Sequence, residues 1–121
     1  MMRRFRSKDT RPEMQVRRLL HGLGYRFRVH GAALPGNPDI VFPSRRKVIF
    51  VNGCFWHAHE CQLSRRPKQN GAYWIPKLEG NKARDRRNVR ALRSRRWGVL
   101  TVWECQLRSP ALSARLKRFL G

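Results

Sequence analysis

The apolar positions of this chain switch several times between a helical and an extended rhythm, and each switch predicts an element. Thr10-Arg11-Pro12-Glu13 supplies a cap, an early proline and an acid at the capping-box position. Met14, Val16, Leu19, Leu20 and Leu23 then form an apolar helical stripe that Gly22 or Gly24 ends. Tyr25 to Val29 alternates apolar with basic, predicting a half-buried strand with Arg26 and Arg28 facing outward. Gly31 to Pro38, with its glycines and prolines, reads as a turn leading to Asp39. Asp39-Ile40-Val41-Phe42, closed by Pro43, predicts a second strand. Ser44-Arg45-Arg46 is a short hairpin connection, and Val48 to Val51, apolar throughout, is a strand buried on both faces.

Beyond Cys61 the pattern turns basic through residues 65–70 and reaches Ala72-Tyr73-Trp74. Pro76 suits the start of a helix running to about Arg95. Leu78, Ala83, Val89 and Leu92 face inward on it, with Lys77, Lys82, Arg84, Arg86, Arg87, Arg90 and Arg93 elsewhere. Such a face suits phosphate, although a solvated surface explains most runs of this kind. Trp97 to Trp103 is a further core strand, and Leu112, Leu116, Phe119 and Leu120 make a closing helix. Helix, three strands, long helix, strand, helix is the order of an α/β sandwich with a mixed central sheet, not of a repeated βαβ unit. Residues 1–10 stand apart as a basic arm carrying Arg3, Arg4, Arg6 and Lys8, either a DNA-binding segment or a frayed terminus, and 11–121 form a single domain.

Charge changes the picture most. The chain carries 28 Lys+Arg against 7 Asp+Glu, a formal net charge of +21, on a 40% hydrophobic composition that excludes wholesale disorder. A chain so basic calls for a polyanion, and nucleic acid is the usual one. No apolar run approaches the roughly 18 residues of a membrane span, and Met1 to Arg6 lacks the apolar core of a secretion signal. A cytosolic, reducing location follows, so the three cysteines are expected as thiolates rather than as disulfides.

Two constellations carry chemistry. Cys54, His59 and Cys61 lie close together, and Cys105 follows the strand after the long helix; three thiolates and an imidazole match a closed structural zinc site. The bland alternative is three buried cysteines packing as small hydrophobes. Among the few acids, Asp39 and Glu13 are placed to serve a metal. Asp39 suits magnesium, joined by the backbone carbonyl of Val51 at the neighbouring strand's end, although an aspartate at a strand start is more often a turn former. His57, the histidine left over by zinc, suits a general base with an ordinary pKa of about 6.5, or equally a histidine that sits behind the ligands or faces solvent. Asp85 is a candidate to orient it, though its spacing also suits salt bridges to nearby arginines. Phe55, Trp56 and Trp74, loop aromatics among basic residues, are candidate wedges between base steps, against the usual role of aromatics in a core.

Ser7-Lys8-Asp9-Thr10-x-x-Glu13, Leu34-Pro35-Gly36-x-Pro38-Asp39, Gly53-Cys54-Phe55-Trp56-His57, Asp85-Arg86-Arg87 and Val102-Trp103-Glu104-Cys105 together resemble the very short patch repair (Vsr) mismatch endonucleases, from about Ser7 to Phe119. The resemblance implies a restriction-endonuclease-like fold, a structural zinc on Cys54, His59, Cys61 and Cys105, and magnesium-dependent nicking of one strand of double-stranded DNA. In the family the nick falls 5′ to the thymine of a T:G mismatch left by deamination of 5-methylcytosine. Asp39 would bind magnesium, His57 act as base, Glu13 assist, and Phe55, Trp56 and Trp74 insert beside the mismatch. A monomer is implied, with mismatch-repair proteins as candidate partners. The chain departs from the family at Asn52, where relatives often carry histidine or another acid, and at Ala58 and Glu60. The competing readings are an endonuclease for perfectly paired DNA and a zinc-stabilised DNA-binding protein without catalysis.

Overall fold

The computed structural model describes residues 10–31, 33–53 and 71–121, with side chains from residue 80 onward in the last span. Its elements run α1 (Arg11–Gly22), β1 (Arg28–Val29), β2 (Ile40–Phe42), β3 (Lys47–Asn52), α2 (Gly71–Ser94), β4 (Gly98–Trp103) and α3 (Leu112–Leu120). The four strands form one sheet in the order β1-β2-β3-β4. β1, β2 and β3 pair antiparallel, whereas β3 and β4 pair parallel, in register from Lys47↔Gly98 to Asn52↔Trp103. A parallel neighbour needs a long crossover, and α2 supplies it. The result is a mixed α/β fold that fits the restriction-endonuclease-like architecture.

Strand alternation sorts the core onto two faces. Ile40, Phe42, Ile49, Val51 and Val102 pack with Val16 and Leu20 of α1 and with Leu112, Leu116 and Leu120 of α3. Val41 and Val48 point the other way, onto Leu92 of α2, with Leu34, Phe50, Trp97 and Val99 around them. β2 and β3 are therefore covered on both sides, which is why they read as unbroken apolar runs.

Helix α1 starts where the sequence places it, with Thr10 Oγ1 accepting from the Glu13 N–H at 3.4 Å. Two boundaries differ. The strand expected over 25–29 pairs only at Arg28 and Val29, because β2 gives way at Pro43, which has no N–H to extend the ladder. Tyr25 and Phe27 are half-buried all the same, each edge-on to Phe42 with ring centroids 6.4 and 6.0 Å away. The long helix begins at Gly71 rather than Pro76. Pro76 thus lies in its second turn, where the missing N–H removes a single ladder bond.

At the hairpin end of the sheet, basic side chains close the C-terminus of α3. Arg45 Nη1 donates to the Leu120 carbonyl at 2.9 Å, and Lys47 Nζ donates to the Phe119 carbonyl. Last-turn carbonyls have no partner within their helix, and cations also suit the negative end of its dipole. Among the described residues no helix is long and apolar enough to cross a membrane.

Leu20 is fully buried between α1 and the sheet. Leu20→Ala is therefore expected to cost about 2–5 kcal/mol, read as a lower urea midpoint with an unchanged slope.

Candidate active site

The opposite end of the sheet brings Asp39, Glu13 and Val51 together. Asp39 sits one residue before β2, and its backbone is fixed from one side: its carbonyl accepts from the His30 N–H at 3.2 Å. Its side chain is fixed from the other, Oδ2 accepting from the Val51 N–H at 2.7 Å. The preceding turn is closed by the Gly31 N–H donating to the Pro38 carbonyl at 2.9 Å. Gly36 in that turn has φ of +78°, and a Cβ there would fall 2.9 Å from Asn88 Cβ of α2. Only glycine suits both demands, so the turn presses on α2 and presents Asp39 at a set height.

Glu13 comes from α1 and is 1% exposed. A carboxylate so buried requires partners. Arg17, one turn further along the helix, donates from Nη2 to Glu13 Oε2. The acid expected to complete a capping box thus turns inward to this ion pair and to Asp39. Burial pushes the Asp39 pKa from the ordinary 3.8 up to about 7. The Val51 N–H opposes that rise, the neighbouring Glu13 charge and its hydrogen bond reinforce it, and the Arg17 guanidinium opposes it more weakly.

Buried Glu13 and half-buried Asp39 share one guanidinium, and a hard divalent cation would complement the negative charge they carry once Asp39 ionises. Asp39 is the oxygen donor here that could hold magnesium, while the Val51 group seen against it is the N–H, which donates to Asp39. Asn52, the next residue, is buried at the strand end in register with Trp103. Its amide does not ionise near neutral pH and so cannot serve as a general acid or base.

Other predicted residues fall elsewhere. Asp85 is half-buried on α2, three positions before the Asn88 that meets Gly36. Cys105 is half-buried in a short 3-10 turn, Glu104–Gln106, that follows β4. The Gln106 side chain ties that turn down, its Oε1 accepting from the Trp103 N–H at 3.0 Å and from Arg115 Nη1 at 2.9 Å. The parallel register brings the exits of β3 and β4 side by side at Asn52↔Trp103, and Cys54 and Cys105 each stand two residues further along the sequence. That spacing suits thiolates meeting at one zinc. Cys54, Phe55, Trp56, His57, His59 and Cys61 lie outside the described residues, as do Arg3, Arg4, Arg6 and Lys8, and Trp74 is described in its backbone alone. Among the described residues no three His, Cys, Asp or Glu side chains gather as a metal-binding group. Arg17 escaped the sequence reading, although its i, i+4 spacing from Glu13 is a signal for such a pair.

A mixed α/β sheet with Asp39 at a strand start against the buried Glu13 of α1, in a chain of net charge +21, defines a basic protein with an acidic pair at one end of its sheet. Residues 1–63 match the family described as DNA mismatch endonuclease Vsr. The type II nicking enzyme V.XorIIP of Xanthomonas oryzae pv. oryzae is 55% identical over 121 residues, covering 99% of this chain and 89% of that protein. The DNA mismatch endonuclease Vsr of Escherichia coli K12 is 42% identical, over 98% of this chain and 80% of its own length. The type II nicking enzyme V.NmeAIP of Neisseria meningitidis is 37% identical, over 99% and 86%. The chain belongs to the Vsr family of DNA mismatch endonucleases.

The raised Asp39 pKa has a definite sign in stability. Below about pH 4 the carboxyl is protonated in both folded and unfolded chains, and above about 7 it is ionised in both. Between those limits the folded chain holds a proton that the unfolded chain has released, so the group's contribution falls as pH rises. Without added magnesium, Asp39→Asn should gain stability relative to the wild type from pH 4 to pH 7, measured as the difference in urea midpoints. A difference that is flat or shrinks over that range would contradict the buried pair.

Proposed function

We propose that this chain, a DNA endonuclease by family, nicks one strand of double-stranded DNA 5′ to the thymine of a T:G mismatch in a magnesium-dependent reaction. The observation that carries this reading is the buried Glu13–Asp39 pair at the strand ends, held by Arg17 and the Val51 N–H. Burying like charges is costly, and a fold that does so beside a rigid strand end is suited to receive a cation.

Asp39 and the Val51 carbonyl would hold magnesium, with Glu13 assisting. When bound, the ion supplies charge neutralisation for a phosphate becoming pentacoordinate. His57 takes the proton of the attacking water, and Asp85 orients that imidazole. Phe55, Trp56 and Trp74 wedge beside the mismatch, where a mispaired base costs least to unstack. Arg3, Arg4, Arg6 and Lys8 neutralise backbone phosphates flanking the site, a sequence-blind contribution that weakens with salt. Cys54, His59, Cys61 and Cys105 bind a structural zinc, which pins the segment after β3 and with it His57.

The deciding assay sets labelled T:G, T:A and C:G duplexes against purified protein with magnesium. Only the T:G duplex should be nicked, in one strand, and Asp39→Ala and His57→Ala should each slow nicking by roughly 10²-fold or more. Undiminished cleavage by either variant would remove that residue from the mechanism. Equal cutting of paired duplexes would instead describe a general endonuclease, and tight binding without any nick a DNA-binding protein.

Zinc has its own measurement. Elemental analysis should find one zinc per chain, and Cys105→Ser should lose that metal together with thermal stability. Metal-free protein with three freely titrating thiols would exclude the zinc.

A further inference from the structure

A second basic surface lies at the other end of the sheet from Asp39. Arg90 and Arg93 are exposed neighbours on the last turns of α2, and Arg95 and Arg96 follow, also exposed. The hairpin adds exposed Arg46, whose guanidinium lies 4.8 Å from the centre of the Trp97 ring. No Asp or Glu occurs between residues 86 and 98 or between 43 and 47, the segments that build this corner.

Helix capping does not account for so much charge. The C-terminus of α2 is already served by Arg46, whose Nη2 donates to the Arg95 carbonyl at 2.6 Å. Arginines at i and i+3 on one helix face repel each other. Arg96 has φ of +67°, a left-handed position that glycine fills without strain. Of these, the repulsion between neighbouring guanidiniums is the cost that a run of phosphates would relieve.

Geometry separates this corner from the catalytic end. β3 runs from Lys47, beside the patch, to Val51, whose N–H meets Asp39, four residue steps or roughly 13 Å along the strand. Exposed α2 side chains also point away from the sheet that α2 covers through Leu92. A duplex seated across the strand ends leaves the patch facing outward.

We infer that Arg46, Arg90, Arg93, Arg95 and Arg96 form a second site for the phosphate backbone of double-stranded DNA, engaging a segment other than the one presented to Asp39. Guanidinium forks favour phosphate, and contacts of this kind hold DNA without reading its sequence. The endonuclease would then bind two duplex segments at once and pass between them without fully releasing DNA. The inference rests on the proposed function in one respect: the mismatch duplex is taken to occupy the Asp39 end.

The test uses zinc-replete, full-length Asp39→Ala protein, which cannot cleave. It is saturated with a short T:G duplex covering only the mismatch and its flanks, then mixed with a fluorescent, fully paired second duplex. Sedimentation should show a species containing protein and both duplexes. The second duplex should dissociate as salt rises, with a logarithmic slope of about 0.9 per phosphate contact, so roughly 3 to 5. Adding Arg90→Gln, Arg93→Gln and Arg95→Gln should weaken capture of the second duplex at least tenfold and leave the T:G duplex bound as before. In the otherwise wild-type protein the same three substitutions should leave single-turnover nicking of the short duplex and the melting temperature unchanged.

Displacement of the first duplex by the second, equal capture by the triple variant, or binding of phosphatidylserine vesicles in place of DNA would each overturn the patch. Failure to bind even the T:G duplex would overturn the patch and the mismatch reading together. Binding of that duplex alone would overturn the patch and leave the mismatch reading standing.

Discussion

Two carboxylates forced together in the interior dominate this protein. Glu13 belongs to α1 and Asp39 to the threshold of β2, and they meet because Val16 and Leu20 pack the first helix against the middle of the sheet. Like charges in low dielectric repel strongly, and the surroundings answer with one guanidinium and one backbone N–H. Those responses are partial, as the elevated Asp39 pKa records. Residual charge of this kind costs a resting protein stability, and active sites are where such costs concentrate.

The sheet makes that meeting possible by changing direction once. An antiparallel hairpin returns β3 to the level of Asp39, and a parallel crossover then sends β4 out of the sheet at the same level. Turn, helix and strand exits therefore converge at one end, while among the described residues the other holds the hairpin and the helix C-termini. Gly36 pressed on Asn88 and Gln106 bridging Trp103 to Arg115 serve a common purpose, since each immobilises a segment lacking core of its own.

Much of this was legible in the residues. Period-two alternation and unbroken apolar runs gave the strand order, because burial on one face or on two leaves different patterns. Asp39 and Glu13 stood out because acids are rare in so basic a chain. Arg17 was hidden for the converse reason: one more arginine among many reads as solvated surface, and only the burial of Glu13 reveals its partner. The end of the strand at 25–29 depended on where β2 gives way to Pro43, and the contact of Gly36 with Asn88 on packing across 52 residues of sequence, which no local pattern encodes. The thiolates and His57 were legible as a composition, and their arrangement lies outside the described residues.

The clasp between the hairpin and α3 also bears on how the molecule comes into being. Arg45 and Lys47 reach carbonyls 75 and 72 positions later, and Leu112, Leu116 and Leu120 belong to the larger of the two core clusters. A nascent chain is made from its N-terminus, so the sheet's α1 face stays partly bare until translation has delivered α3. Contacts of such separation are slow to close. A fragment that stops short of α3 would accordingly carry Glu13 and Asp39 on a sheet whose α1-side core is still incomplete.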